Sequence, residues 1–574
     1  MRPNRLSILL LLGFLFLFVN LVRMQILKGP YYRSLSERNR IRVIYLEGGR
    51  GKILDRNGQV LAKNHLSFNC SAVAREAKSR IKRSCEILSP ILAEDALTLE
   101  ERFRKKKPGA FHTVLMAEDI DASQAIAIEE RLDQLPGFMI ETRPQREYPY
   151  GESAAHLTGY IGPLTEDEKE AMELYNYNYA DWAGREGVER SYESYLRGYS
   201  GGLQIEVDSR GRIIRALGVR EPREGKDIQL TVDARLQSKA QALLKGQKGS
   251  VIIIEMENGG LLAMNSSPSF DPNLFASKKG RKDVGKYLTN DEEAPMVNRG
   301  IRSNYPPGSI FKIVTAIAGL SSGKITPATS FNCRGYLMIG GIRFGCWKDG
   351  GHGPQSMSEA FAHSCNVYFY SIGLLTGIDV LHEKSVEFGF YLRTGVDLPG
   401  EKQGFVPSKE WKKKKRHLPW YEGETANLAI GQGDLQVTPL QALMMAVVAA
   451  AEGQVLRPHV IDKIDGIKVA EKNAGSMRVP AAHWKSVKEG LDQVVNSDTG
   501  TGRLARRADT RVAGKTGTAQ SGQDKTHAWF VGFAPKDKPK IALVVFLEHG
   551  GRGGVAAASI ANQLLQGLKE TGYL

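Results

Sequence analysis

Cysteine is scarce in this chain. Five residues in 574, Cys70, Cys85, Cys333, Cys346 and Cys365, are too few to hold a protein of this length as a disulfide scaffold. Long apolar runs are scarce as well, and a composition of 42% hydrophobic and 25% charged residues is globular. It excludes a disordered tail protein, a collagen-like fibre and a polytopic membrane protein. No internal repeat and no low-complexity tract is present. Acidic residues fall short of basic ones, 63 against 78, for a net charge of +15. That excess fits either a nucleic-acid footprint or a basic surface beside anionic lipid. The length excludes a single small module and predicts several domains at about 150 residues each.

What is there begins with the one apolar run. Residues 6–22 carry no charge between Arg5 and Arg23, and residues 24–27 extend the apolar face. With snorkelling arginines this spans a hydrocarbon core of about 30 Å. A cleaved signal peptide usually has an apolar region of about 7–15 residues and a small-residue cleavage site. Here VRMQILKG offers none, so the segment reads as an uncleaved signal anchor, and the nucleic-acid reading of the charge recedes. Orientation stays open at this point. Arg23, Lys28, Arg33, Arg38, Arg40 and Arg42 follow the span and only Arg2 and Arg5 precede it, a count that opposes a cytoplasmic N-terminus.

Residues 31–225 alternate short strand-like runs with polar helices, and no catalytic cluster stands out among them. Residues 51–61 read as a β-hairpin turned at Asn57-Gly58, residues 121–132 as a helix, and residues 185–198 as a charged amphipathic helix closed by Gly198. From Asp227 the texture changes. Strands are expected at 228–232, 250–256 and 261–265, with a helix at 234–244. Two further strands are expected at 528–534 and 541–547, followed by a helix from 555 to about 568. Strands at both ends with helices between predict one antiparallel sheet whose first and last strands meet, covered by helices.

Three motifs carry chemistry in this second half. After the chain break at 304–308, Ser309 and Lys312 lie three apart at the start of an apolar helix. There they share a face, and a desolvated lysine takes a hydroxyl proton. A serine N-cap on a core helix fits the same residues. Ser364-Cys365-Asn366 follows a short helix started by a Ser356/Glu359 capping box. Lys515-Thr516-Gly517-Thr518 reads as a strand, and the missing side chain of Gly517 would let a substrate backbone lie against its edge. Each motif alone is poor support, but the three in this order are strong.

This set is similar to that of penicillin-binding proteins and β-lactamases. The sequence resembles the class B penicillin-binding proteins along nearly its whole length, through residues 50–58, 146–149, 155–162, 268–273 and 430–433. Residues 411–423 are most similar to the elongation-type branch. The resemblance implies an α+β protein. Its parts would be a tail and transmembrane anchor at 1–29, a mixed α/β pedestal domain at 30–226, and a transpeptidase domain at 227–574 with a central antiparallel sheet flanked by helices. It implies a peptidoglycan D,D-transpeptidase of cell-wall elongation, acylated by β-lactams, with Ser309 as nucleophile and Lys312 as its base. Ser364 and Lys515 would relay the proton to the leaving amine, and Asn366 would bind the substrate amide. Thr516 and Thr518 would meet the substrate carboxylate, and the backbone N–H groups of Ser309 and Thr518 would form an oxyanion hole. It also implies an N-in, single-pass inner-membrane protein with a periplasmic catalytic domain. Peptidoglycan stem peptides are its substrate, a membrane glycan polymerase of the RodA type and other elongation-machinery proteins its partners, and nucleic acid is not expected.

Cys333, Cys346, His352 and Cys365 depart from the motif set. Three thiolates and one imidazole complete a tetrahedral Zn²⁺ shell with no open position, so the metal would be structural and no organic cofactor is expected. The rival is a Cys333–Cys346 disulfide, favoured by an oxidising compartment. Zinc is preferred because Cys365 sits inside the Ser-x-Asn motif and some elongation-type relatives carry a metal-ligand set at similar spacing. Cys70 and Cys85 are either paired or free. A β-lactamase or β-lactam sensor, a division-type transpeptidase and an inactive scaffold for a polymerase remain as alternatives, while a zinc hydrolase would need the open metal position this shell lacks.

Overall fold

The computed structural model describes residues 5–33, 41–46, 48–105, 113–165, 168, 182–207, 213–277, 280–470, 475–522 and 525–574. They divide into two compact units, and the division is not linear. Residues 1–50, 66–144 and 197–225 form one, and residues 51–65, 145–196 and 226–574 form the other.

The first unit opens with helix α1 (Arg5–Val22), continued by a single π turn at Arg23–Leu27. The apolar stretch Ile8–Leu27 has 20 residues, which at about 1.5 Å per residue matches a bilayer's hydrocarbon core. Its side chains are exposed, Leu9 by 73% and Phe14 by 70%, a cost in water that lipid removes. Arg2, Arg38 and Arg40, which enter the orientation count, lie outside the described residues. Strands Ile41–Leu46, Gly201–Val207 and Ile213–Arg220 form one antiparallel sheet. Helices Ile81–Leu92, Ala96–Lys105 and Ala122–Glu129 share a small core with strand segments 68–73 and 113–120, built on Leu88, Leu99, Val114, Met116 and Ile128. The last of these helices is started by Asp121, which accepts from the Gln124 N–H at 2.8 Å. Cys70 and Cys85 are buried in this core as free thiols. Burial pushes them up to about 12 and about 11, so neither is a ready nucleophile.

The second unit is built on a five-stranded sheet. Its strands are β1 (Lys248–Glu255), β2 (Leu261–Ser267), β3 (Ala513–Gln520), β4 (Thr526–Ala534) and β5 (Ile541–Glu548), in the order β2-β1-β5-β4-β3, antiparallel throughout. As the sequence predicts, the first and last strands meet, with Ile252 opposite Val544. Their residues are buried on both faces, which is why they read as unbroken apolar runs. Along the chain follow α2 (Lys312–Ser321), α3 (Met357–Ala362), α4 (Asn366–Thr376), α5 (Glu422–Ala429), α6 (Pro439–Ala450), α7 (Ala481–Asn496) and α8 (Ala556–Glu570). Helices α6 and α8 pack on β4 and β5, and α7 packs on β3. Every residue of α6 is buried, so it needs no polar face. Among the described residues, strand β3 is paired on one side only and forms an edge of the sheet.

Two pieces of the pedestal sequence belong to this unit. The 51–61 hairpin forms with Gly58 at φ +83°, and the Asp55 carboxylate accepts from the Asn57 and Gln59 N–H groups at 2.7 Å each. The charged helix expected at 185–198 is instead two short turns, Gly187–Ser191 and Glu193–Leu196. Tertiary pairing overrides the surface pattern there: Glu189 is fully buried and accepts from Arg146 at 2.7 Å, while Arg146 also donates to the Gly51 carbonyl at 2.8 Å.

Candidate active site

The helix expected from Ser309 begins three residues later than the sequence predicts. Gly308–Phe311 is a single 3-10 turn and α2 starts at Lys312. Gly308 explains the turn. Its φ is +57°, its N–H donates to the Gly431 carbonyl at 2.9 Å, and a Cβ there would stand 2.8 Å from the Thr518 carbonyl oxygen. Only glycine lets the turn press against β3 in this conformation. A 3-10 turn eclipses residues three apart, so half-buried Ser309 and fully buried Lys312 keep a common face.

Lys312 Nζ donates to the Ser364 carbonyl at 2.8 Å, to Ser364 Oγ at 3.3 Å and to Asn366 Oδ1 at 2.8 Å. Lys515 Nζ donates to the same Ser364 Oγ and to the Thr516 carbonyl, both at 2.9 Å. Ser364 sits between α3 and α4 at φ +50°, a left-handed conformation that non-glycine residues adopt at a cost. Both lysines are fully buried. Burial lowers Lys312 to about 8 against the opposing pull of nearby Cys365 and Cys346. Burial, with the charge of Lys312 second, holds Lys515 well below an ordinary lysine. Two amines sharing one hydroxyl in a dry pocket disfavour two protons, so the pair titrates as a unit.

Thr516 and Thr518 alternate onto one face of β3, the first buried and the second exposed. Thr516 Oγ1 lies 2.9 Å from Thr501 Oγ1, and the Gly553 N–H donates to Thr518 Oγ1 at 3.3 Å. The expectation for Gly517 needs correction. A Cβ there would stand 3.0 Å from Ile310, the Pro307 carbonyl and Trp529, so the missing side chain admits the turn that carries Ser309. The outer edge of β3 pairs with no other strand among the described residues. Sequence reasoning also missed the 497–502 segment, whose only local signal is the Thr499-Gly500-Thr501-Gly502 alternation, and the bridge from His363 to Gln355 at 2.7 Å and Thr499 at 3.0 Å.

Cys333, Cys346, His352 and Cys365 converge, with their four ligand atoms all within 4.8 Å of one another, and all are free thiols or imidazole. Cys333 ends the strand Phe331–Cys333 that pairs with Gly353–Gln355, and Cys346 follows the hairpin Tyr336–Ile339/Ile342–Gly345. Both sulfurs lie 3.6 Å from His352 Nδ1. A tetrahedron with metal–sulfur and metal–nitrogen bonds of about 2.3 and 2.05 Å has sulfur–nitrogen edges of about 3.6 Å, so the donor set fits one zinc-sized dication. Hydrogen bonds from the Cys365 thiol and the Asn366 N–H lower Cys346, and that thiolate in turn raises Cys365.

An edge strand, a serine turn and two buried lysines on one hydroxyl define a serine acyl-transferase class of site. The comparisons with known proteins then fix the family. Residues 249–566 match the penicillin binding protein transpeptidase domain and residues 45–230 the penicillin-binding protein dimerisation domain. The peptidoglycan D,D-transpeptidase MrdA of Acinetobacter baumannii is 36% identical over 93% of this chain and 82% of its own length. The protein of the same name from Escherichia coli K12 is 32% identical over 98% and 92%. Among solved structures, the complex of PBP2 with MreC from Helicobacter pylori matches at TM-score 0.83 and 29% identity, covering 93% of this chain and 99% of that one. Pseudomonas aeruginosa PBP2 in complex with WCK 5153 matches at 0.70 and 32%, covering 92% and 96%. The chain belongs to the penicillin-binding proteins that carry a dimerisation and a transpeptidase domain.

Proposed function

We infer that this chain is an elongation-type peptidoglycan D,D-transpeptidase. The convergence of Lys312 and Lys515 on the Ser364 hydroxyl, beside the Ser309 turn, carries the reading. In it, Ser309 Oγ attacks the penultimate D-Ala carbonyl of a stem peptide and Lys312 takes the hydroxyl proton. The C–N bond to the terminal D-Ala breaks as Ser364, backed by Lys515, passes a proton to the leaving amine. An amine of a neighbouring stem then displaces Ser309 from the acyl group. Asn366 holds Lys312 and meets the substrate amide. The Ser309 and Thr518 N–H groups face the oxyanion, and Thr516 and Thr518 take the terminal carboxylate. The MrdA and PBP2 relatives support the elongation branch over a division enzyme, a lactamase or a sensor. The test is covalent labelling. A fluorescent penicillin should label the wild type stably and Ser309→Ala not at all; labelling of Ser309→Ala, or rapid turnover of the drug, would overturn the reading.

The finer assignments belong to the same proposal. The chain divides into an anchor at 1–29, a pedestal at 30–226 and a transpeptidase domain at 227–574, with 51–65 and 145–196 packed into the catalytic unit. Helix α1 anchors it N-in to the inner membrane, with the catalytic domain in the periplasm. Its partners are a RodA-type glycan polymerase and other elongation proteins. Solved relatives include a PBP2–MreC complex and a peptidoglycan synthase complex, the latter at TM-score 0.76 and 30% identity. Cys333, Cys346, His352 and Cys365 hold Zn²⁺, which when bound ties the 334–353 loop to the middle of the Ser-x-Asn motif and takes no part in the chemistry. About one equivalent of zinc in the purified protein is expected, and less than half an equivalent, with Cys365→Ser leaving stability untouched, counts against it.

A further inference from the structure

The proposed mechanism gives the substrate's terminal carboxylate to Thr516 and Thr518, and any role for the residues behind them rests on that reading. A threonine hydroxyl has one hydrogen. To donate it to a carboxylate, the hydroxyl must accept from whatever stands behind it. Behind Thr518 stands an amide: the Gly553 N–H, 3.3 Å from Thr518 Oγ1, can only donate, which leaves the Thr518 hydrogen for the cleft. Behind Thr516 stands the Thr501 hydroxyl at 2.9 Å, where either oxygen is able to be the donor.

Thr501 is held too firmly for this contact to be incidental. Its N–H donates to the Ala362 carbonyl at the end of α3 at 3.0 Å, and the Gly502 N–H donates to the Val494 carbonyl on α7 at 2.8 Å. Thr499 Oγ1 is bonded to His363 Nε2 at 3.0 Å. A Cβ at Gly554 would stand 2.4 Å from the Thr501 carbonyl oxygen, so the glycine-rich 550–554 loop closes over it. The 497–502 segment thus joins the turn that precedes Ser364 to the strand that carries Lys515, with the Thr501 hydroxyl aimed at Thr516.

We propose that Thr501 is a positioning residue for the donor substrate: its hydroxyl donates to Thr516 Oγ1 and so directs the Thr516 hydrogen at the carboxylate, the side-chain counterpart of the Gly553 amide behind Thr518. Hydrogen bonds in such a chain polarise one another, so the loss should appear only with a substrate that has the carboxylate.

The test uses the full-length protein and two thioester donors with a D-Ala acyl group, one with a thioglycolate leaving group and one with the matching thioglycolamide. Ser309 acylation rates are measured for wild type, Thr501→Val and Thr501→Ser. Thr501→Val keeps the shape and removes the donor. It should be acylated about tenfold more slowly by the carboxylate donor, the equivalent of one hydrogen bond, and within about twofold of wild type by the amide. Thr501→Ser should restore the carboxylate rate. Equal losses of Thr501→Val on both donors, no loss on either, or a serine variant as slow as valine would overturn the proposal. If a thermal melt shows Thr501→Val unfolded, Thr501→Ala is read on the same ratio. A wild type that neither donor acylates, and that penicillin does not label, overturns the functional reading itself, which is a different result.

Discussion

Raising the pH through about 8 should switch acylation on. Lys312 acts as a base only when neutral, and burial brings it from an ordinary 10.5 to about 8. At pH 7 that makes roughly one lysine in ten neutral instead of about one in 3,000, a gain of about 300-fold in usable base. The same drop is a stability statement. Because the folded pKa lies below the unfolded one, the unfolded chain binds the extra proton between about 8 and 10.5. Stability from this group therefore rises with pH across that window, by about 1.4 kcal/mol per unit and about 3 kcal/mol in all, and below pH 8 the full penalty stands. Lys515 shifts in the same direction, so the profile reports the pair. The assay is the rate of labelling by a fluorescent penicillin from pH 6 to 10, beside urea melts of wild type and Lys312→Met. The labelling rate should climb about tenfold per unit and level near pH 8, while the wild type gains about 3 kcal/mol on the variant between pH 8 and 10.5. A midpoint near 10, or a stability difference indifferent to pH, refutes the argument that burial sets the base.

Asp492 is fully buried and accepts from Arg511 at 2.7 and 2.6 Å, with Asn496 at 2.9 Å. Arg511→Ala leaves that carboxylate without its main partner and should cost about 2–4 kcal/mol in urea melts at pH 7.5. Arg511 helps hold Asp492 below the usual carboxylate value of 3.8, so the pair's contribution stands in full above that value and is lost as the pH falls below it. Gly431 sits at φ +75° with its would-be Cβ 2.1 Å from the Gly308 carbonyl oxygen. Gly431→Ala must push the Ser309 turn, and penicillin labelling should slow by about 100-fold while the circular dichroism spectrum is kept.

The sheet is legible because β1, β4 and β5 are buried on both faces and announce themselves as apolar runs at each end of the catalytic stretch. The three motifs were legible because residue type and order suffice to find them. What was not legible depends on contacts between distant segments. Nothing in the sequence near Gly308 says that the turn beneath it must clear the Thr518 carbonyl, so the helix begins three residues later than the sequence predicts. Nothing local tells a solvated Glu189 from one paired with Arg146 across 43 residues. Thr501 was missed for the same reason: its partner Thr516 is brought to it by α7 and β3. The Cys/His cluster was legible only as a set of residue types; the 3.6 Å spacing that makes it a donor set comes from two hairpins folding back on α4.

That cluster bears on Lys312 through Asn366. Cys346 Sγ accepts from the Asn366 N–H at 3.4 Å, Asn366 Nδ2 donates to the Gly345 carbonyl at 3.4 Å, and the Tyr370 hydroxyl donates to that same carbonyl at 3.2 Å. The end of the hairpin therefore fixes the residue whose Oδ1 holds the lysine. The hairpin joins the core through Ile339, Leu337 and Phe344, while Met338 and Ile342 at its tip are exposed by 54% and 65%. Losing its anchor should free the loop without melting the domain. Cys346→Ser should thus slow penicillin labelling by about tenfold or more, with faster amide exchange confined to residues 334–353, while the main thermal transition moves by only a few degrees. If labelling falls only in proportion to a large drop in the main transition, the cluster serves the fold as a whole and not the position of Asn366.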